Sequence, residues 1–567
     1  MKEQMIRDTD YANALSELGF CVAPLFSQAQ IDKLQALYAE FEASNNVTGL
    51  VASHSKGSTA LSLYVSNSIK EILSPSLEHW FKDFNFFLGG FMVKSAHTEE
   101  EFPLHQDWDI LDETKYTSYQ IWIPLELSSP YNGGIIALPG SHRFFNNHRS
   151  GSYGMPRVKI DDVIRPHIVD MVIAPGSALV YHNSLFHASY ANPTNKTRVS
   201  AIINIYQKDA VLEYAHKNTA ENCTEKYAIT SESFLTHLNV FEQGKIPDHM
   251  MKSGDAAIDT YSNASTTSEA LVQQLNLLFP ETLSQSLEPA QLHVLKDKDI
   301  QTKLNKEGYV ILDFIDNTTI EILKEKYNEL CQEHKTDIGR FSTLEHVSPE
   351  IKRSLHHFIL EQTQAQLDQY FKDYQSPISC YFTKYANSTG NLTWHNDTPI
   401  ILNTHLEPYL GIWCPLLDVS EQNGGFCLIP HSHKFSHSPF VAGIQWPFAI
   451  YNDLFTSIGV VPTISAGQMI LFDLRLIHNA TPNMSDQDRV VVCIRLTHNK
   501  SVYHSFKSKD SEKQSIEVFE EKPNHFLSDE WSGEEQVSKL ARKVGEMEHI
   551  YTNLKVESIA QQLAVES

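Results

Sequence analysis

The order of hydrophobic and polar positions along this chain is written twice, with an offset of 289 to 291 residues. In the first writing Ile31, Leu34, Tyr38 and Phe41 recur at helical spacing, and Ile320, Leu323, Tyr327 and Leu330 answer them. A capping-box pattern precedes each stripe, Ser27-x-x-Gln30 and Thr318-x-x-Glu321. Both spacings predict a helix that buries one face. The runs 86–95, 118–127, 134–139, 169–181 and 198–206 are short, apolar or alternating, and bounded by Gly, Pro and Asn, which predicts strands. Helices followed by many short strands predict a mainly β (α+β) chain: a β-sandwich or jelly roll with flanking helices, present twice in tandem.

The register of the repeat extends to single residues. Gly19 is answered by Gly308, and the run Trp122-Ile-Pro124-Leu125 by Trp413-Cys-Pro415-Leu416. The segment from Gly133 to His142 is answered by Gly424 to His433, and Asn192 by Asn483. Gene duplication is the economical explanation. It predicts domains over 1–215 and 296–505, a partly helical inter-repeat region over 216–295 with a helix near Ser268–Phe279, and a charged extension over 506–567. In that extension Val537, Leu540, Val544, Met547, Tyr551 and Leu554 are spaced 3, 4, 3, 4 and 3 apart. The spacing predicts an amphipathic helix that docks on its own chain or forms a homodimer contact; it is shorter than a coiled coil requires.

Composition narrows the class. Of 567 residues 41% are hydrophobic and 10% aromatic, ample for sizeable cores. A net charge of −24 argues against a nucleic-acid backbone or an anionic membrane as the main partner and leaves room for a local basic pocket. No run approaches ~20 apolar residues, and the start MKEQMIRDTDY lacks the apolar core of a secretory signal. Seven scattered cysteines without a C-x-x-C pair fit free thiols, so a cytoplasmic protein acting on a small molecule is expected.

The candidate chemistry lies in His105-Gln-Asp107 and His395-Asn-Asp397, each with a later histidine, His187 or His478. Side chains at i and i+2 point to one side of a strand, so both can reach one ion. Two imidazoles and one carboxylate leave three octahedral positions open, the pattern of non-heme Fe(II) oxygenases; zinc hydrolases use the same ligand types. Eleven residues past each distal histidine, Arg198 and Arg489 open the apolar runs RVSAIINI and RVVVCIRL. A guanidinium there is costly unless it meets an anion, and its planar fork matches a carboxylate such as that of a 2-oxo acid. His182 is answered by Asp473, which disqualifies it as a ligand. His142 and His433 are read as turn residues, and Trp122 and Trp413 as core aromatics rather than substrate platforms.

On LHQD with His187 and Arg198, PGSHR at 139–143, and WHND with PHSHK at 430–434, His478 and Arg489, the chain resembles the phytanoyl-CoA dioxygenase family. The resemblance spans about 15–207 and 304–498 and implies a double-stranded β-helix in each copy. It implies Fe(II) held by His105, Asp107 and His187 and by His395, Asp397 and His478. It further implies 2-oxoglutarate anchored by Arg198 and Arg489 with a second contact from Lys94 and Lys384, and O2 as cosubstrate. Two departures, His431 for Gly140 and Trp394 for Leu104, spare the ligands. Both carboxylates are present, which favours C–H hydroxylation over halogenation. One catalytic and one binding repeat, or a metal-binding β-helix that uses no 2-oxo acid, are the alternatives.

Overall fold

The computed structural model describes residues 4–43, 45, 48–56, 58–144, 148–253, 257–258, 266–278, 290–331, 339–388, 393–435, 448–510, 515–532 and 537–548. They form two compact units, Met1–Gln291 and Leu292–Ser567.

In the first unit the helices are α1 (Thr9–Glu17), α2 (Gln28–Ala43), α3 (Thr59–Trp80), α4 (Ser231–Glu242) and α5 (Ser268–Leu278). The strands are β1 (Phe20–Pro24), β2 (Leu50–Ala52), β3 (Phe84–Lys94), β4 (Phe102–His105), β5 (Ser118–Pro124), β6 (Ile135–Ala137), β7 (Val169–Asp170), β8 (Ser177–His182), β9 (His187–Ser189), β10 (Arg198–Gln207), β11 (Glu213–Asn218) and β12 (Cys223–Ala228). The predicted stripe is the buried face of α2, with Ile31, Leu34, Tyr38 and Phe41 all buried. Gln30 closes its first turn by accepting from the Ser27 N–H at 3.0 Å.

Two antiparallel sheets make the barrel. The larger has the order β1-β8-β5-β10-β3-β2 and the smaller β4-β9-β6-β7. Neighbouring strands in these orders are mostly distant in sequence, as in the expected double-stranded β-helix. The predicted run 169–181 is split into β7 and β8 by a turn ending at Gly176, whose φ of 96° suits glycine.

The second unit repeats the large sheet, in the order Tyr309–Asp313, Gln468–Asp473, Tyr409–Pro415, Arg489–His498, Tyr374–Lys384, Arg340–Ser342. Its small sheet is reduced to the pair Phe426–Leu428 and His478–Ala480, extended by single bridges from His395 to His478 and from Val460 to Leu428. Ile320, Leu323 and Tyr327 are buried on the helix Asn317–Cys331 as expected, but its cap differs. Asp316, not Thr318, accepts from the Thr319 N–H at 2.8 Å. An ionised carboxylate at a helix start interacts more strongly with the helix dipole than a hydroxyl does.

The inter-repeat region contains helices, and β11 and α4 pack Tyr214, Phe234, Leu238 and Phe241 against Phe87, Ile110 and Leu111. Helix α5, close to the predicted Ser268–Phe279, buries Leu271 and Leu275 against Leu104, Ile136 and Phe186. One expectation about the flanking regions is corrected: in the C-terminal extension, residues 542–548 form a strand paired with Ser515–Glu520, not an amphipathic helix. The register skips Val544, because Val518 pairs with Gly545 and Phe519 with Lys543. That bulge buries both Val544 and Met547, so a three-residue spacing arises in a strand and imitates a helical one. Tyr551 and Leu554 lie outside the described residues.

Candidate functional site

The N-terminal site forms where β4 and β9 pair, since His105 and His187 face each other across the ladder. Their rings lie 4.2 Å apart by centroid. Each Nδ1 donates to a carbonyl two residues back, His105 to Pro103 at 2.9 Å and His187 to Leu185 at 3.0 Å. That bond fixes the tautomer and aims the Nε2 lone pair into the site. Both Nε2 atoms are 3.8 Å from Asp107 Oδ1, and one ligand atom from each of the three residues lies within 4.8 Å of the others. Asp107 is pinned through its N–H to the Asn183 carbonyl at 3.0 Å, while its Oδ2 is buried with no hydrogen-bond partner among the described residues. A carboxylate with one oxygen orphaned and the other 3.8 Å from two imidazole Nε2 atoms fits a divalent cation. Burial, and then the neighbouring His187, push the His105 pKa well below its usual value, so this imidazole is neutral and ready to ligate.

Arg198, 5% exposed, opens β10 and lines the same cavity as these residues. Its amino groups donate to Gly133 O at 2.8 Å, Ser200 Oγ at 3.1 Å and Met92 O at 3.3 Å, and its guanidinium lies 5.4 Å from the Trp122 ring. No carboxylate among the described residues pairs with it, and burial lowers its pKa to about 10. Trp122, expected as a core aromatic, thus flanks the candidate anion anchor. Lys94 is fully buried, but its ammonium donates to Ser189 Oγ at 3.0 Å, to Ser189 O and to Tyr190 O. With its three protons so engaged it ties β3 to the end of β9. Lys384 likewise donates to Ala480 O and Thr481 O.

A cavity of about 620 Å³ opens on His105, Asp107, His187 and Arg198. Phe87, Met92, Trp108 and Ile110 line it from the barrel, and Phe234 and Leu238 from α4. Its polar lining includes an amide cluster, in which Asn204 donates to Gln120 Oε1 at 3.2 Å and Asn183 Oδ1 at 3.1 Å. Sequence reasoning missed Arg149. This guanidinium, 1% exposed, donates through Nε to the Asp107 carbonyl at 2.6 Å and pairs with Glu113 at 2.7 Å. It holds the backbone of the candidate ligand from behind, and nothing in its spacing marks it.

The second set differs. His395 and His478 again have centroids 4.4 Å apart, and their Nδ1 atoms donate to Thr393 O at 2.8 Å and Leu476 O at 2.9 Å. His478 Nε2 is 3.9 Å from Asp397 Oδ2, but the three residues are not gathered as tightly as the first set. Asp397 Oδ1 accepts from Arg495 at 2.7 Å. Burial alone would raise the Asp397 pKa, yet the Arg495 guanidinium together with His478 and His395 outweighs it and holds the carboxyl below its usual range. Burial and then His395 lower the His478 pKa to about 4. Arg495 was also missed, although the repeat displays it: the seventh residue of RVSAIINI is Asn204 and that of RVVVCIRL is Arg495.

Comparison with known proteins adds a lineage. The model of the family described as phytanoyl-CoA dioxygenase (PhyH) matches residues 12–200 and again 295–491. The phytanoyl-CoA dioxygenase domain-containing protein 1 homolog of Caenorhabditis elegans is 26% identical over 152 residues, covering 24% of this chain and 53% of that protein. Its Caenorhabditis briggsae counterpart is 26% identical over 159 residues, covering 26% and 54%, so the chain spans about half the length of these relatives. Among solved structures, EvdO2 from Micromonospora carbonacea var. aurantiaca complexed with 2-oxoglutarate has 19% identity and a TM-score of 0.26, covering 36% of this chain and 94% of its own. HygX from Streptomyces hygroscopicus, solved with nickel, 2-oxoglutarate and hygromycin B, has 14% identity and a TM-score of 0.27, covering 35% and 86%.

Proposed function

Because the chain belongs to the phytanoyl-CoA dioxygenase family, we propose that its N-terminal unit is an Fe(II)/2-oxoglutarate-dependent oxygenase that hydroxylates a C–H bond of a small molecule. His105, Asp107 and His187 would hold the iron, and Arg198 the distal carboxylate of 2-oxoglutarate. Bound there, iron and 2-oxoglutarate would supply an oxidant able to attack an unactivated C–H bond. The residues of the chain do the rest. Backbone carbonyls keep both imidazoles in the ligating tautomer, and Arg149 holds Asp107 in place. Phe87, Trp108, Phe234 and Leu238 exclude water and seat an apolar portion of the substrate, while the Asn204–Gln120–Asn183 amides offer it a polar foothold.

The observation that carries this reading is Asp107, one oxygen orphaned and the other 3.8 Å from both imidazole Nε2 atoms, beside a buried Arg198 that has no carboxylate partner among the described residues. Anaerobic addition of Fe(II) and then 2-oxoglutarate should produce a visible charge-transfer band, and aerobic incubation should release succinate. Asp107→Ala should lose both. Succinate formation at the native rate in that variant would refute the assignment.

A further inference from the structure

The C-terminal pocket keeps the two imidazoles of its counterpart but changes what faces them, and the changes run one way. Strand register places Phe472 where the first copy has Tyr181, Gly411 where it has Gln120, and Arg495 where it has Asn204. Leu474 takes the place of Asn183, since each gives its carbonyl to the N–H of the candidate carboxylate ligand. Four polar groups are lost and one cation is gained. Besides its bond to Asp397, Arg495 donates to Tyr409 Oη at 3.0 Å and Thr398 O at 3.4 Å, so its guanidinium is fixed from two sides. Arg495 engages Asp397 Oδ1 and neutralises the carboxylate, so a metal ion would be left with Oδ2 alone and would sit close to a fixed cation. The donor set here does not fit a metal as the N-terminal set does.

Arg489 is in the opposite condition. It is 1% exposed and lines the pocket, and Nε, Nη1 and Nη2 all lack a hydrogen-bond partner among the described residues. The rings of Trp413 and Phe382 lie 5.3 and 5.7 Å from its guanidinium. Its counterpart Arg198 satisfies both amino groups on its own chain, whereas Arg489 leaves its whole fork open. A buried cation without acceptors calls for an anion, and a planar fork with vacant donors suits a carboxylate. The pocket volume of about 280 Å³, walled by Phe382, Trp413 and Phe426, admits a small organic acid.

We propose that the C-terminal pocket is a metal-free site for a small carboxylate, in which Arg495 occupies the role of the metal ion and Arg489 receives the acid. The inference is independent of the oxygenase reading of the N-terminal unit. Equilibrium dialysis of the full chain against Fe(II) under anaerobic conditions should give one metal per chain. The count should fall to zero in His105→Ala/His187→Ala and stay at one in His395→Ala/His478→Ala. A count of two, or a loss in the second variant, would overturn the proposal; a count of zero in the native chain would end the oxygenase reading while agreeing with this one. Arg495→Asn, which installs the residue of the first copy, should gain a second equivalent; a folded variant without the gain would show that Arg495 is not what excludes the metal. In EDTA and an Arg198→Met background, calorimetric titration with 2-oxoglutarate and with succinate should reveal one site, weakened at least tenfold by Arg489→Met. Absence of binding by both acids, or binding indifferent to Arg489, would overturn the carboxylate assignment.

Discussion

At the scale of single residues, the two buried arginines of the N-terminal site do different work. Arg198 has no carboxylate partner, so its removal should cost little stability and much cosubstrate affinity. For Arg198→Met, steady-state kinetics should give a KM for 2-oxoglutarate raised at least tenfold, with the metal still bound. Arg149 is paired with Glu113 and hydrogen-bonded to Asp107, so Arg149→Met strands a mostly buried carboxylate and loosens a candidate ligand. A loss of roughly 3 kcal/mol in denaturant unfolding is expected from breaking such a pair, with metal affinity reduced about 10–100-fold. Lys94 provides the contrast. Its ammonium serves three acceptors on β9 and the residue after it, so Lys94→Met should lower the melting temperature and leave the KM for 2-oxoglutarate unchanged.

At the scale of elements, α4 belongs to the cavity although it follows the barrel in sequence. Phe234 packs on Phe87 with ring centroids 5.0 Å apart and also lines the cavity. Phe234→Ala should cost about 3 kcal/mol as a buried aromatic truncation. It should also raise uncoupled succinate release relative to substrate-dependent release, because the wall against water is thinned. The C-terminal extension teaches a related lesson about pattern. A bulge that skips Val544 creates the same three-residue step a helix would, and periodicity over two turns cannot separate them.

At the scale of the whole molecule, acid should unsettle the C-terminal unit. Burial depresses both His356 and His504 to about 4, while the unfolded chain takes up those protons near 6.5. The unfolded state therefore binds more protons between these values, and stability falls as pH drops from 6.5 towards 4. Each imidazole contributes up to about 3 kcal/mol to that loss. Thermal melts should fall across this window, and His504→Gln should flatten the fall.

Much of this architecture was legible in the chain because duplication supplied its own alignment. The α2 stripe, the long strands, the two His-x-Asp pairs with their later histidines, and the two arginines that open a strand could be placed by register alone. What escaped were groups whose meaning depends on an approach in space. Arg149 reaches Asp107 from 42 positions along the chain, and the folding of α4 back onto the barrel leaves no period to read. Arg495 stood in plain view opposite Asn204, yet its sense depends on Asp397 lying 2.7 Å away.

The family match to the first copy ends at residue 200, whereas Phe234 and Leu238, which line its cavity, come later in the chain. One wall of the cavity is thus encoded outside the stretch that supplies His105, Asp107, His187 and Arg198. Exchanging the stretch around α4 for that of a cousin should redirect which molecule is oxidised while the oxidation itself goes on as before.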